Sequence, residues 1–211
     1  MPETTRRQRK RQERLDHIAR TAHDLFEAHG YDAVTMEQIA AAADVAKGTL
    51  YSHFPVKEAV LAHWIHLQLE HDLDRLLPKS QADGSFKRGV RRLLEASAVW
   101  HEKHRSYLFP YLRYRFLGIG RPTPDENDAR ADLVRAFMAL VEAGQRSGEL
   151  SVAQPAARLA LFFHFLYLAA LLRWLTTPKA KLNDEFAAAL DLFLKGSART
   201  VATARKRSSK S

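Results

Sequence analysis

The sequence predicts an all-α fold, in which a three-helix N-terminal domain is followed by a larger helical domain. Two observations support this prediction. Apolar residues recur at spacings of three and four along most of the 211 residues, as on one face of a helix. The alternating β-branched runs between turn dipeptides that mark strands are missing. With 46% hydrophobic and 27% charged residues, the composition is that of an ordinary globular protein.

The pattern divides the chain into four segments. A basic flexible arm is predicted over residues 1–13, the three-helix domain over 14–60, the larger helical domain over 61–198 and a basic flexible tail over 199–211. The formal net charge of +9 is largely due to the tail, while the arm is a basic segment within a first third that is otherwise balanced in charge. An excess of positive charge indicates an anionic partner.

Several classes of protein are excluded by what the sequence lacks. Without cysteine there is no disulfide, thiolate metal site or cysteine nucleophile. No phosphate-binding glycine loop, serine elbow or H-E-x-x-H motif occurs, so we expect neither an enzyme nor a cofactor. The longest apolar run, residues 159–172, is shorter than the roughly 20 residues that a membrane span needs, so it predicts a buried helix in a cytoplasmic protein.

The first helix is predicted to span Arg14–His29. Its apolar residues from Leu15 to Phe26 share one face, and Gly30 can take the left-handed conformation that ends a helix. Farther along, Pro55 fits the first position of a fourth helix that would end at Leu77.

The second and third helices are predicted to form a tight pair. Thr35 and Gln38 have the spacing of a capping box, which begins the second helix. The helical pattern breaks at residues 44–46 and resumes over 47–54, so the two helices are joined by a three-residue turn. This arrangement is a helix-turn-helix, in which the later helix enters the major groove of DNA.

The third helix carries suitable chemistry for DNA. Lys47 can pair with a phosphate or a guanine edge, Gly48 allows close approach of the backbone, and Thr49 can contact a base or a phosphate. Tyr51, His53 and Lys57 are spaced to reach flanking phosphates. The basic arm is either a solvated tail or a segment that enters the minor groove, and the C-terminal tail is either flexible or attracts phosphate nonspecifically.

Three stretches, residues 35–40, 45–54 and 57–58, resemble the N-terminal domain of TetR-type transcriptional regulators, and the resemblance covers about residues 12–60. It implies a homodimeric regulator, usually a repressor, that binds a palindromic operator and is released by a small-molecule effector. Two positions depart from the pattern, since Asp44 stands where glycine is common and Ala46 where a capping hydroxyl is common. The DNA contacts implied by the resemblance are Thr35, Lys47, Gly48, Thr49, Tyr51, His53 and Lys57.

Aromatic residues are dense between positions 100 and 116. Such a cluster belongs either to a core or interface, or to a pocket for an apolar or aromatic effector, with an arginine available for an anionic group. The candidate effector contacts are Trp100, His104, Tyr107, Phe109, Tyr111, Arg113, Phe163 and Tyr167.

Residues 156–175 are apolar nearly all round, so a helix there must be covered on two sides. Residues 183–198 carry one apolar stripe that can cover one side, and a second copy of the chain would cover the other. These two segments therefore predict a four-helix homodimer interface.

Two pairs of histidines, at 63 and 66 and at 101 and 104, are spaced to lie on one helical face. They are either metal ligands or ordinary helix histidines, and we expect no metal site, because no carboxylate has a matching spacing. The alternatives to an effector-controlled regulator are a nonspecific architectural DNA-binding protein and a helical ligand carrier.

Overall fold

The computed structural model describes residues 2–82, 84–117 and 126–197, with the side chains of 6–80, 84–115 and 133–196. Over these residues the chain forms nine α-helices and no strand, which confirms the all-α prediction. The predicted C-terminal tail lies outside the described residues. The helices are α1 (Pro2–His29), α2 (Met36–Ala42), α3 (Lys47–His53), α4 (Lys57–Ala82), α5 (Phe86–Lys103), α6 (Arg105–Leu117), α7 (Glu126–Arg146), α8 (Ala156–Thr176) and α9 (Leu182–Ser197).

The chain divides into two compact units. The first consists of Met1–Leu76 and Ala96–Leu133, and the second of Leu77–Glu95 and Val134–Ser211. The segment after residue 60 therefore contributes to both units.

The core of the first unit is built by apolar faces of α1, α2, α3 and α4, together with Tyr107 of α6. Their spacings of three and four put one stripe of each helix inside. Burial of these side chains fixes the short helices α2 and α3, which are too short to be stable alone. Its large buried side chains include Leu15, Ile18, Phe26, Ile39, Leu50, Phe54, Val60, Leu61 and Trp64.

Helix α1 begins at Pro2, so the predicted start at Arg14 is wrong, and residues 2–13 of the predicted arm are helical. Residues 6–14 are all exposed and lack the apolar period on which the prediction relied. Here i,i+4 side-chain pairs support the helix, since Arg9 Nε lies 3.5 Å from Glu13 Oε1 and Gln12 donates to Asp16 at 3.0 Å.

Helix α4 differs from its prediction at both ends. It begins at Lys57, two residues after Pro55, because the Ala59 amide donates to the Val56 carbonyl at 3.0 Å. It continues through Pro78 to Ala82. Pro78 is exposed, so the carbonyl that loses its amide partner can be hydrated by water.

The second unit has an aromatic core. Phe163 of α8 lies edge-on to Phe137 of α7, with ring centroids 4.8 Å apart, and Phe193 of α9 lies 5.0 Å from Phe163. Glu149 caps the start of α5, because its carboxylate accepts the amides of Phe86 at 2.7 Å and Lys87 at 3.0 Å.

Two glycines of the second unit lie where backbones approach closely. A Cβ on Gly89 would lie 2.6 Å from the Ser80 carbonyl oxygen, and one on Gly144 would lie 2.8 Å from the Phe86 Cβ. Both positions therefore require glycine for packing.

Helix α8 is long and apolar enough to cross a bilayer by length and composition alone. Its inner face, however, is buried within the second unit, as in the core helix of a helical domain. The buried residues of α8 are Leu159, Ala160, Phe163, His164, Tyr167, Ala170, Leu171 and Trp174.

Candidate nucleic-acid interface

The start of α2 is held by the predicted capping box. The Gln38 amide donates to Thr35 Oγ1 at 3.2 Å, and the Thr35 amide donates to Gln38 Oε1 at 2.8 Å. Two amides that the first turn would leave without a partner are thus satisfied. Met36, Ile39 and Ala40 are buried beneath, so the helix is fixed at its start and along its inner face.

The turn between α2 and α3 has the geometry of a helix-turn-helix. Asp44 adopts φ +53°, in the left-handed region that aspartate tolerates better than most residues, so the turn forms without the usual glycine. The Val45 amide donates to the Ala40 carbonyl at 3.0 Å and closes the end of α2. Ala46 begins α3 without a side-chain cap. Leu50 anchors α3 in the core.

The outer side of α3 presents Lys47, Gly48 and Tyr51 to solvent, with Thr49 partly buried beside them. No atom lies within 4 Å of the place where a Cβ on Gly48 would be, so the protein itself does not require glycine there. A bare backbone at an exposed helix start suits the close approach of a ligand.

A hydrogen bond that no sequence pattern predicts joins Tyr51 to α2. The Tyr51 hydroxyl donates to Glu37 Oε1 at 3.2 Å. Desolvation of the phenol, together with the nearby Glu37 carboxylate, raises the pKa of Tyr51. The separation of fourteen residues carries no motif, so only the structure reveals this pair.

Lys57 is engaged by the backbone. Its ammonium donates to the carbonyls of Tyr31 at 2.6 Å, Val34 at 2.9 Å and Asp32 at 3.4 Å, and it lies 4.3 Å from the centre of the Tyr31 ring. All three ammonium protons therefore have acceptors in the loop between α1 and α2. The phosphate contact predicted for Lys57 stays a prediction, and it would have to compete with these bonds.

The remaining predicted DNA contacts lie at helix ends. Thr35 is exposed, but its hydroxyl already accepts the Gln38 amide. His53 is partly buried in the last turn of α3.

Most of the predicted effector contacts belong to the first unit. Tyr107 is buried in its core, and its hydroxyl donates to Glu27 of α1. His104 is also buried, with Nδ1 2.8 Å from the Trp100 carbonyl. Tyr111 and Trp100 pack partly buried against the same core.

The others are distributed differently. Arg113 donates to Glu58 of α4 at 3.4 Å, and Phe109 is 61% exposed. Phe163 and Tyr167 lie in the core of the second unit, where Tyr167 stacks on Phe186 at 5.0 Å. An effector role for any of these residues stays a prediction.

The histidines make contacts within the first unit. His63 Nε2 lies 2.9 Å from Asp16 Oδ1, which joins α4 to α1. His101 Nδ1 lies 2.6 Å from the Ser97 carbonyl. Burial lowers the pKa of His66 to about 3 and that of His101 to about 4. Over the described residues, no three His, Asp or Glu side chains are arranged to hold a metal ion.

Comparisons with known proteins agree with the helix-turn-helix. The family model of bacterial regulatory proteins, tetR family, matches residues 18–63. The HTH-type transcriptional regulator TcmR of Streptomyces glaucescens is 46% identical over 54 residues, which are 26% of this chain and 24% of TcmR. The uncharacterized HTH-type transcriptional regulator YuxN of Bacillus subtilis is 34% identical over 96 residues, 46% of this chain and 33% of YuxN. The match thus spans a third or less of these curated relatives.

Solved structures extend the likeness over nearly the whole chain. FadR of Thermus thermophilus, a TetR-family transcriptional repressor in complex with lauroyl-CoA, superimposes with a TM-score of 0.72 and 27% identity over 90% of this chain and 98% of FadR. SmeT, the repressor of the Stenotrophomonas maltophilia multidrug efflux pump SmeDEF, shares the fold with a TM-score of 0.57 and 20% identity over 89% and 91%. Over residues 18–63 the chain is thus similar to bacterial regulatory proteins of the tetR family, and it shares the fold of FadR, a repressor of that family.

Proposed function

We propose that the protein is a repressor that binds a palindromic operator through α3 and is released by a small-molecule effector. The observation that supports DNA binding most directly is the outer surface of α3, where Lys47, Gly48 and Tyr51 are exposed on a helix anchored by Leu50. The proposed contacts are Thr35, Lys47, Gly48, Thr49, Tyr51, His53 and Lys57, of which Lys57 also donates to carbonyls of the loop between α1 and α2. As a regulator of bacterial genes, the protein would act in the cytoplasm, without enzymatic activity or a cofactor.

A homodimer through residues 156–175 and 183–198 is part of this proposal. Phe162 and Phe165 of α8 are 55% and 46% exposed, and Leu192 of α9 is 61% exposed. Large apolar side chains on adjacent segments are favourable only when they are covered. A second copy would cover them across a two-fold axis and present two α3 helices to two half-sites about 34 Å apart.

For the effector we propose a fatty acyl thioester of coenzyme A. FadR, which superimposes over nearly its full length, is bound to lauroyl-CoA. A molecule with an apolar chain and anionic phosphates also fits the aromatic and arginine residues noted between positions 100 and 116. The candidate contacts in the first unit remain Trp100, His104, Tyr107, Phe109, Tyr111 and Arg113, and those in the second unit remain Phe163 and Tyr167. Because operator and effector would favour different conformations, each should weaken the binding of the other.

The test is selection of bound sequences from random duplex DNA, with a salt titration on the enriched pool. Nonspecific affinity falls steeply with salt, whereas base contacts preserve a specificity ratio. If a palindrome is enriched and lauroyl-CoA releases the protein from it, the full proposal is supported. If a palindrome is enriched but no acyl-CoA releases the protein from it, operator binding is supported and this effector is rejected. Salt-labile binding without a motif would support the architectural alternative, and no DNA binding would support the ligand carrier.

A further inference from the structure

The contact between Glu37 and Tyr51 places an acidic group at the surface that we propose to face DNA. Glu37 is exposed in the first turn of α2, and its carboxylate accepts the Tyr51 hydroxyl at 3.2 Å. Tyr51 is 44% exposed on the outer side of α3. A phosphate within hydrogen-bond distance of the Tyr51 hydroxyl would therefore lie about 6 Å or less from a like charge.

A carboxylate in this position affects correct and incorrect DNA sites differently. Phosphates surround every site and repel it wherever the protein binds. In the major groove, an exocyclic amino group of cytosine or adenine can donate to it, and only some sequences place such a group there. An element that lowers affinity for wrong partners raises specificity without raising affinity for the right one.

We propose that Glu37 is a specificity-determining residue of the interface, which holds the Tyr51 phenol in place and requires a base amino donor opposite its carboxylate. This inference rests on the proposed DNA-binding function. Its two parts are separable, because glutamine keeps an acceptor for Tyr51 while it removes the charge, and alanine removes both.

The experiment compares wild type with Glu37→Gln, Glu37→Ala, Tyr51→Phe and the double variant Glu37→Ala with Tyr51→Phe. Affinity is measured for the selected palindrome and for a duplex of the same composition in scrambled order, over a range of salt. Glu142→Gln, at an exposed position of α7, is the control for the same change in net charge. Unfolding midpoints verify that each variant folds as wild type does.

We expect Glu37→Gln to bind the scrambled duplex about threefold more tightly at low salt, as the loss of one repulsion at this distance implies. Reselection with this variant should relax the base preference at one position of each half-site. Glu37→Ala should also weaken palindrome binding, and this loss should vanish in the Tyr51→Phe background.

The outcomes distinguish this inference from the function on which it rests. Wild type that enriches no palindrome overturns the proposed function and this inference together. If the wild-type protein enriches a palindrome, but Glu37→Gln changes neither the affinity for the scrambled duplex nor the base preference, this inference alone is overturned. Additive effects of Glu37→Ala and Tyr51→Phe overturn the positioning part.

Discussion

The imidazole of His23 lies flat against the indole of Trp64, with ring centroids 3.7 Å apart and planes inclined by 8°. The pair joins α1 to α4, and Glu27 Oε1 lies 3.5 Å from His23 Nε2. Burial lowers the pKa of His23, which the nearby Glu27 only partly offsets. The packing of the first unit therefore favours a neutral imidazole here.

We predict that the protein loses stability as the pH falls below 6.5. His23, His66, His101 and His104 all have pKa values in the folded state below their ordinary value of 6.5, chiefly because of burial. The unfolded chain therefore binds protons first, and the stabilisation present above pH 6.5 is lost as the pH falls toward the folded values. His66 and His101, whose pKa values in the folded state are about 3 and about 4, should each lower the free energy of unfolding by about 1 kcal/mol per pH unit between those values and 6.5.

Urea unfolding at pH 7.5 and pH 5.5 tests this prediction. His66→Leu should make the dependence on pH shallower, because it removes one of the groups. An unfolding midpoint that rises on acidification would contradict the expected sign.

Lys57→Ala should destabilise the fold. The variant leaves the carbonyls of Tyr31 and Val34 without their charged donor, a loss of about 1–3 kcal/mol for hydrogen bonds of this kind. The exposed Lys47 is the control, since Lys47→Ala should leave the urea midpoint unchanged and reduce the salt dependence of DNA binding by about one unit of slope. If Lys57→Ala instead lowers the salt slope at full stability, its ammonium contacts phosphate.

Gly48→Ala separates folding from DNA binding. With no atom within 4 Å of the new Cβ, the folded chain should be as stable as wild type or slightly more so. If the backbone at this position approaches DNA closely, operator affinity should fall about tenfold, or 1.4 kcal/mol. Unfolding curves and operator titrations measure the two quantities. Unchanged operator affinity would remove Gly48 from the interface.

Gly89→Ala and Gly144→Ala should each cost about 1–3 kcal/mol of stability, because their Cβ atoms would overlap Ser80 and Phe86. Gly196, in α9, is the control, since no atom lies within 4 Å of its Cβ. Both variants should have midpoints of thermal unfolding well below that of Gly196→Ala. Equal midpoints for the three would mean that the close approaches relax without cost.

Leu192→Glu and Phe165→Glu should dissociate the proposed dimer. A charge placed in an apolar interface loses its hydration without gaining a partner. Phe109→Glu, at a phenylalanine of the first unit that is as exposed as Leu192, should leave the dimer intact. Sedimentation velocity at micromolar concentration measures the outcome, and a wild-type monomer would reject this interface.

Local chemistry allowed the helix-turn-helix to be predicted nearly residue by residue. The capping box of Thr35 and Gln38 and the tolerance of Asp44 for positive φ depend on neighbours in sequence, so no knowledge of the rest of the fold was needed. The ends of the helices were harder to predict from the sequence. Pro78 does not end α4, because at an exposed position water can satisfy the carbonyl that proline leaves unpaired.

The candidate effector site was harder to predict for a different reason. Aromatic density between positions 100 and 116 is compatible with a pocket or with a core, and composition does not distinguish the two. In the structure Tyr107 lies in the core beside α1, and its hydroxyl donates a hydrogen bond to Glu27, which is eighty residues away in sequence. Contacts of that range follow from the arrangement of helices and leave no local pattern.

Helix α1 consists of two parts whose backbone amides should differ in protection from hydrogen exchange. From Leu15 onward α1 has a buried face, whereas residues 6–14 are exposed on all sides. Amides of the exposed turns should exchange with solvent hydrogen by local fraying, and those of the packed turns only when the first unit opens. Substitutions among the arginines of the exposed turns should therefore change the charge of this segment at little cost in folding, so evolution can adjust that charge largely independently of the packed core.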